Sequence, residues 1–184
     1  IDPTLVRRAA RLLADYITVL RGFTLPSDRR AVDLVPVIET IVTGLSLPLL
    51  SDEEILEGPD DESAFSRILL SRIGSRPLLE EVECEVVEEH PAVRAWIDHD
   101  HFTDLLTYIL EDLVGSGAER ITIRTGQGEG KVIVTITGIL PVIKVQREPS
   151  TWRFLRGLAE RAGGTLSVRG HEGMYSFEVP SREE

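Results

Sequence analysis

Leu155-Arg156-Gly157-Leu158-Ala159-Glu160-Arg161-Ala162-Gly163-Gly164-Thr165-Leu166-Ser167-Val168, followed by Gly173-Met174-Tyr175-Ser176-Phe177-Glu178-Val179-Pro180, decides how this chain folds. Trp152, Leu155, Leu158 and Ala159 recur at three- and four-residue spacing, which predicts a helix from Trp152 to Ala162 with one inward stripe. Gly163-Gly164 follows that helix directly. Thr165 to Arg169 and Met174 to Val179 then form a hairpin across Gly170-His171-Glu172-Gly173. A helix delivered straight into a hairpin implies a sheet with helices laid on it.

Outward from that stretch the same pattern continues. Arg120 to Thr125 and Lys131 to Thr137 read as strands joined by the loop Gly126-Gln127-Gly128-Glu129-Gly130. The loop lacks the Lys-Ser/Thr pair of a P-loop and leads into no helix, so it reads as a turn rather than a phosphate cradle. A helix from Asp100 to Val114 turns Phe102, Leu105, Leu106, Ile109, Leu110 and Leu113 inward, and Val93 to Ile97 is a strand before it. Val82, Cys84 and Val86 alternate with Glu81, Glu83 and Glu85, the mark of a half-buried strand with one acidic face. Asp33 caps a helix whose inward residues are Leu34, Val37, Ile38, Ile41, Val42 and Leu45, and another helix is expected from Asp61 to Ile73. At the N-terminus, Asp2-Pro3 opens a helix carrying Leu5, Ala9, Leu12, Leu13, Tyr16, Ile17 and Leu20 on one face. The expected fold is a two-layer α/β sandwich, a mixed sheet with helices on one face, preceded by an N-terminal amphipathic helix. The Arg120–Thr137 hairpin has no crossover helix, so an all-parallel Rossmann sheet is not expected.

Composition narrows the function classes. The chain has 184 residues, 42% hydrophobic and 28% charged, which fits a folded domain. Its net charge of −11 disfavours a nucleic-acid partner. No apolar run reaches the roughly 18–20 residues that cross a bilayer, so no membrane contact is expected. Cys84 is the single cysteine, which excludes an internal disulfide and suits a reducing cytoplasm. Arg7-Arg8, Arg11 and Arg29-Arg30 read as a solvated helix face and a turn. The opening residue is Ile1 rather than Met, so a longer parent protein is expected.

Two clusters could carry chemistry. Asp98-His99-Asp100-His101 is dense in potential metal ligands, but no distant Cys/His pair completes a site, and the stretch reads as a helix start with exposed histidines. No metal site is expected there. Asp104, Tyr108, Glu111 and Asp112 fall on one side of the Asp100–Val114 helix. They are either a solvated acidic face or a line of oxygen ligands for Mg²⁺. No Gly-x-Ser-x-Gly elbow supports a hydrolytic triad, and no catalytic residue is assigned.

From Asp98 through Leu113 and on to Pro180, the chain resembles the ATPase lobe of bacterial sensor histidine kinases. Val6 to Leu20 is similar to part of the family's dimerising hairpin, and Ala31 to Ile38 to the start of its ATPase lobe. The resemblance implies a remnant of the dimerisation helix over residues 1–24 and an ATPase-fold domain over 31–184, with an insertion at about 46–77. It also implies a nucleotide pocket, and there the residues depart from the family. The helix asparagines that face nucleotide and Mg²⁺ correspond to Tyr108 and Asp112. The Asp-x-Gly-x-Gly element that reads adenine corresponds to Thr137-Gly138-Ile139-Leu140-Pro141. Val142 to Thr151 contains no glycine where the family has its lid and a Gly-x-Gly helix start. Tyr108, Asp112, Thr137 and Gly138 are thus expected to line a vestigial pocket, with no cofactor bound.

The function that follows is a degenerate, non-catalytic domain of two-component signalling acting through protein contacts. Its expected partner is a second copy or another protein, docked on the helix bearing Leu5, Leu12, Tyr16 and Leu20. One alternative is a divergent working lobe that binds Mg-ATP through Asp112. The other is a phosphotransfer scaffold docking a response regulator. Both alternatives need an acceptor histidine upstream of Ile1, since none precedes His90.

Overall fold

A computed structural model describes residues 27–46, 78–89, 93–141, 149–169 and 173–181. The expected N-terminal helix, the helix at 61–73, the segment 142–148 and the turn at 170–172 lie outside the described residues. In chain order the elements are β1 (Arg29–Asp33), α1 (Leu34–Ser46), β2 (Glu83–Glu88), β3 (Arg94–Asp98), α2 (His99–Gly115), β4 (Arg120–Gly128), β5 (Lys131–Ile139), α3 (Pro149–Ala162), β6 (Thr165–Arg169) and β7 (Met174–Pro180). Five strands form one sheet in the order β2-β4-β5-β7-β6, and β1 and β3 form a two-stranded ribbon. Among the described residues only β2 and β4 run parallel; the other pairs are antiparallel. This is the mixed sheet that the hairpins imply.

Strand alternation sorts the sheet into two faces. Ile121, Ile123, Val132, Val134, Ile136, Tyr175, Phe177 and Val179 are buried on the inner face, where Phe102, Leu105, Leu106, Ile109, Leu110 and Leu113 of α2 meet them. Leu34, Ile38, Ile41 and Leu45 of α1 and Leu155, Leu158, Ala159 and Ala162 of α3 join the same core. Helices thus cover one face.

Two local expectations are corrected. Arg29 and Arg30 belong to a strand, paired with Asp98 and Ile97, rather than to a turn. Two charged residues concealed that strand because it is exposed along most of its length. The glycine loop is also shorter than expected. Strand pairing continues through Gly126, Gln127 and Gly128, leaving a two-residue turn. Glu129 and Gly130 have φ of 52° and 77°, the doubly left-handed turn that matches strand twist in a tight hairpin.

The Gly163-Gly164 pair has two separate physical reasons. Gly163 has φ of 107°, its amide donates to Glu160 O, and the Gly164 amide donates to Ala159 O at 2.9 Å, a Schellman ending for α3. At Gly164 the constraint is space: a Cβ would lie 2.2 Å from the Glu178 carbonyl and 2.6 Å from the Phe177 ring. The helix reaches the sheet only because no side chain intervenes. Gly164→Ala is therefore expected to cost about 1–3 kcal/mol or more through overpacking against β7 backbone. Urea unfolding of both proteins measures it, and an unchanged midpoint would refute this account of the pair.

Candidate functional site

The candidate site lies where α2 faces α3 and the inner side of β7. On α2, Tyr108 and Asp112 are four residues apart and share a side, one turn beyond Asp104. The Tyr108 ring meets Phe154 of α3 edge-to-face, with ring centroids 5.0 Å apart and planes at 84°. That geometry is favourable for aromatic pairs. Tyr175 of β7 is fully buried, and its hydroxyl donates to Asp112 Oδ2 at 2.5 Å. The carboxylate of α2 is thus held by a phenol rising from the sheet beneath it.

Tyr108 and Asp112 are brought together; Thr137 is not brought to them. Thr137 alternates with the buried Ile136 and Gly138, so its side chain lies on the sheet face away from the helices, in register with Thr122 and Met174. Gly138 does face α2. A Cβ there would lie 2.8 Å from Leu113 Cδ2, so this glycine makes room for the helix. The acidic row is also less solvated than its sequence suggests, since Asp104 is buried at 6% exposure. Sequence reading missed Phe154 and Tyr175. Both look like ordinary core aromatics, and only the register Ile136↔Tyr175 places the hydroxyl under α2.

The Asp98–His101 stretch is a helix start. Asp98 is the N-cap of α2, its Oδ1 accepting from the amides of Asp100 and His101 at 3.0 Å each. Its Oδ2 accepts from the Asp28 amide at 2.7 Å. His101 is buried rather than exposed, at 5%. Its Nδ1 sits 3.0 Å from Asp98 Oδ1 without hydrogen-bond alignment. Consecutive odd positions on a helix diverge by about 200°, so His99 and His101 point apart. Among the described residues no group of three His, Cys, Asp or Glu is placed to hold a metal ion. Burial pushes the Asp98 carboxyl up, but the two amides from His101 and Asp28 and the neighbouring imidazole outweigh it and hold the carboxyl below the ordinary range. Cys84, packed against the core from β2, is pushed by burial up to about 11 and stays a thiol at neutral pH.

A surface groove of about 290 Å³ lies elsewhere, lined by Arg29, Lys131, Glu160, Gly163, Glu178 and neighbouring residues. Within it Lys131 lies 3.5 Å from Glu178. No residue of the candidate site lines it.

This frame is the fold of histidine kinase catalytic domains. The chain superposes on the histidine kinase AdeS of Acinetobacter baumannii with a TM-score of 0.63 at 13% identity, covering 97% of this chain and 81% of that one. For the nucleotide-free catalytic domain of the histidine kinase ThkA the values are 0.56 and 14%, covering 85% and 99%. For ThkA in complex with the response regulator protein TrrA they are 0.62 and 13%, covering 97% of this chain and half of that one (50%). No family model matches the sequence, and neither does any curated protein. No helix among the described residues is long and apolar enough to cross a membrane.

Two predictions follow from this geometry. Because Asp98 titrates low when folded, it adds stability above the ordinary carboxylate pKa of about 3.9, and that contribution is lost as pH falls through the folded value. Asp98→Asn keeps a capping oxygen without the titration. Its urea midpoint is expected to fall less than the parent's between about pH 6 and about pH 3, and equal losses would count against the assigned role. Tyr175→Phe leaves the ring and removes the hydroxyl that donates to Asp112. A loss of roughly 1–2 kcal/mol is expected, the scale of a hydrogen bond to a partly solvated charge, and calorimetric melting at neutral pH measures it.

Proposed function

We propose that this chain is a degenerate histidine-kinase-like domain of bacterial signal transduction that does not bind ATP and acts through protein contacts. One observation carries the reading. The two α2 residues at the family's nucleotide-facing positions are engaged by the protein itself, Asp112 by the buried Tyr175 hydroxyl and Tyr108 by the Phe154 ring. Thr137, at the family's adenine-reading position, faces the other side of the sheet. A triphosphate carries several negative charges, and the absence of glycine from Val142 to Thr151 deprives it of the close backbone approach that phosphate cradles use. The chain's net charge of −11 adds long-range repulsion.

Without nucleotide, the domain's work lies in what it binds. The stripe Leu5, Leu12, Tyr16 and Leu20 is the proposed contact for a second copy or another protein in the cytoplasm. A response regulator is a candidate partner, supported by the fold shared with ThkA, which was solved with the regulator TrrA.

A second reading keeps the chemistry: a divergent ATP-binding lobe using Asp112 for Mg²⁺. It is favoured by the survival of an oxygen ligand at that position. Calorimetric titration with Mg-ATP separates the two. No saturable heat is expected, with or without magnesium. A dissociation constant in the micromolar range that depends on magnesium would overturn the first reading and establish the second.

A further inference from the structure

Residues 27–29, which lead from the N-terminal segment into β1, touch the ends of both helices that form the candidate site. At the start of α2, the Asp28 amide donates to Asp98 Oδ2 at 2.7 Å while Asp98 Oδ1 caps the helix. One carboxylate therefore serves two elements at once. At the end of α3, Ser27 Oγ donates to Arg161 O at 3.0 Å and Arg29 Nη2 donates to Glu160 O at 3.2 Å. The last carbonyls of a helix lack intrahelical partners, and a cation there suits the negative end of the helix dipole. The lead-in thus acts as a cap for α3 and shares the cap of α2.

We infer that residues 27–29 form a clasp coupling the N-terminal segment to the packing of α3 on α2. The clasp ties the start of α2 to the end of α3, and the same two helices meet further along at the Tyr108–Phe154 contact. Displacing the lead-in pulls on both helices together, because its bonds go to the terminal carbonyls of α3 and to the carboxylate that caps α2. The bond to Asp98 is the strongest of the three, being part-buried and made to a carboxylate. The two on α3 are exposed and individually weak, and they fix direction more than they add stability. Gly163 lets the clasp close: a Cβ on it would lie 3.1 Å from both Arg29 Nε and the Trp96 carbonyl. This coupling does not depend on whether nucleotide binds beside Tyr108 and Asp112.

The test is NMR of the whole 184-residue chain, reading the aromatic resonances of Tyr108 and Phe154. Asp98→Asn keeps a capping oxygen but presents an amide to the Asp28 N–H, which breaks one arm of the clasp. The double variant Ser27→Ala/Arg29→Ala breaks the other through exposed side chains and leaves folding intact. Arg120→Ala, which removes an exposed ion pair with Glu83 in the sheet, is the control. Both clasp variants are expected to shift the Tyr108 and Phe154 ring resonances well beyond the control. Shifts confined to residues 27–33, 96–101 and 160–163 in the double variant would overturn the proposal, even if Asp98→Asn failed to fold.

Discussion

Helix α2 has to lie across the sheet, because Phe102, Leu105, Leu106, Ile109, Leu110 and Leu113 leave it no other way to remove its apolar stripe from water. Each such side chain contributes on the order of 1.5–3 kcal/mol when fully buried. The sheet answers with an inner face of Ile, Val, Tyr and Phe, and with Gly138 where Leu113 comes closest. Once α2 is fixed, its remaining exposed side meets α3, whose own approach depends on the missing side chain at Gly164. The fold's layers, and the place where a site can form, follow from that one contact surface.

Most of this frame was legible in the residues, and the reasons differ by element. The α2 and α3 stripes are long and periodic, so their type and inward residues could be read directly. The β6–β7 hairpin was legible from alternation and its flanking glycines. β1 was not, since Arg29-Arg30 looks like a charged turn until Asp98 and Ile97 supply its pairing partners. The β4–β5 turn was misplaced by three residues at its start because Gly126 and Gly128 resemble loop residues while remaining in register with Ile133 and Lys131. Long-range pairing decided both cases, and local composition carries no record of it.

The candidate site was half legible. Tyr108 and Asp112 could be placed together because helical spacing is a local property. Thr137 could not be assigned to a face until the strand's register was known, since a shift of one residue reverses every side chain. Gly138, its neighbour, turned out to be the inward residue. Tyr175 belongs to a periodic apolar pattern and Phe154 lies beside one, and nothing in such a pattern separates a ring that fills core from one that meets a polar helix face. Asp104 shows the converse, an acid on a polar-looking row that is nevertheless buried.

The core and the candidate site draw on largely different side chains of α2. The core residues of α2 point at the sheet, whereas Tyr108 and Asp112 point along its edge toward α3 and Tyr175. The two sets are coupled all the same, since Tyr108 packs against that core and Tyr175 belongs to it. A carboxylate placed beside a core also requires a partner. A buried acid without donors is costly, and the usual remedies are a cation, a metal or a hydrogen bond. In this chain a tyrosine on the neighbouring strand supplies the donor, as part of the fold and at fixed geometry. A carboxylate satisfied from within has less to gain from an ion arriving from solvent, because that ion must displace or share an existing bond and lose part of its own hydration. The Tyr175–Asp112 hydrogen bond thus ties the outer side of α2 to the sheet from within the fold.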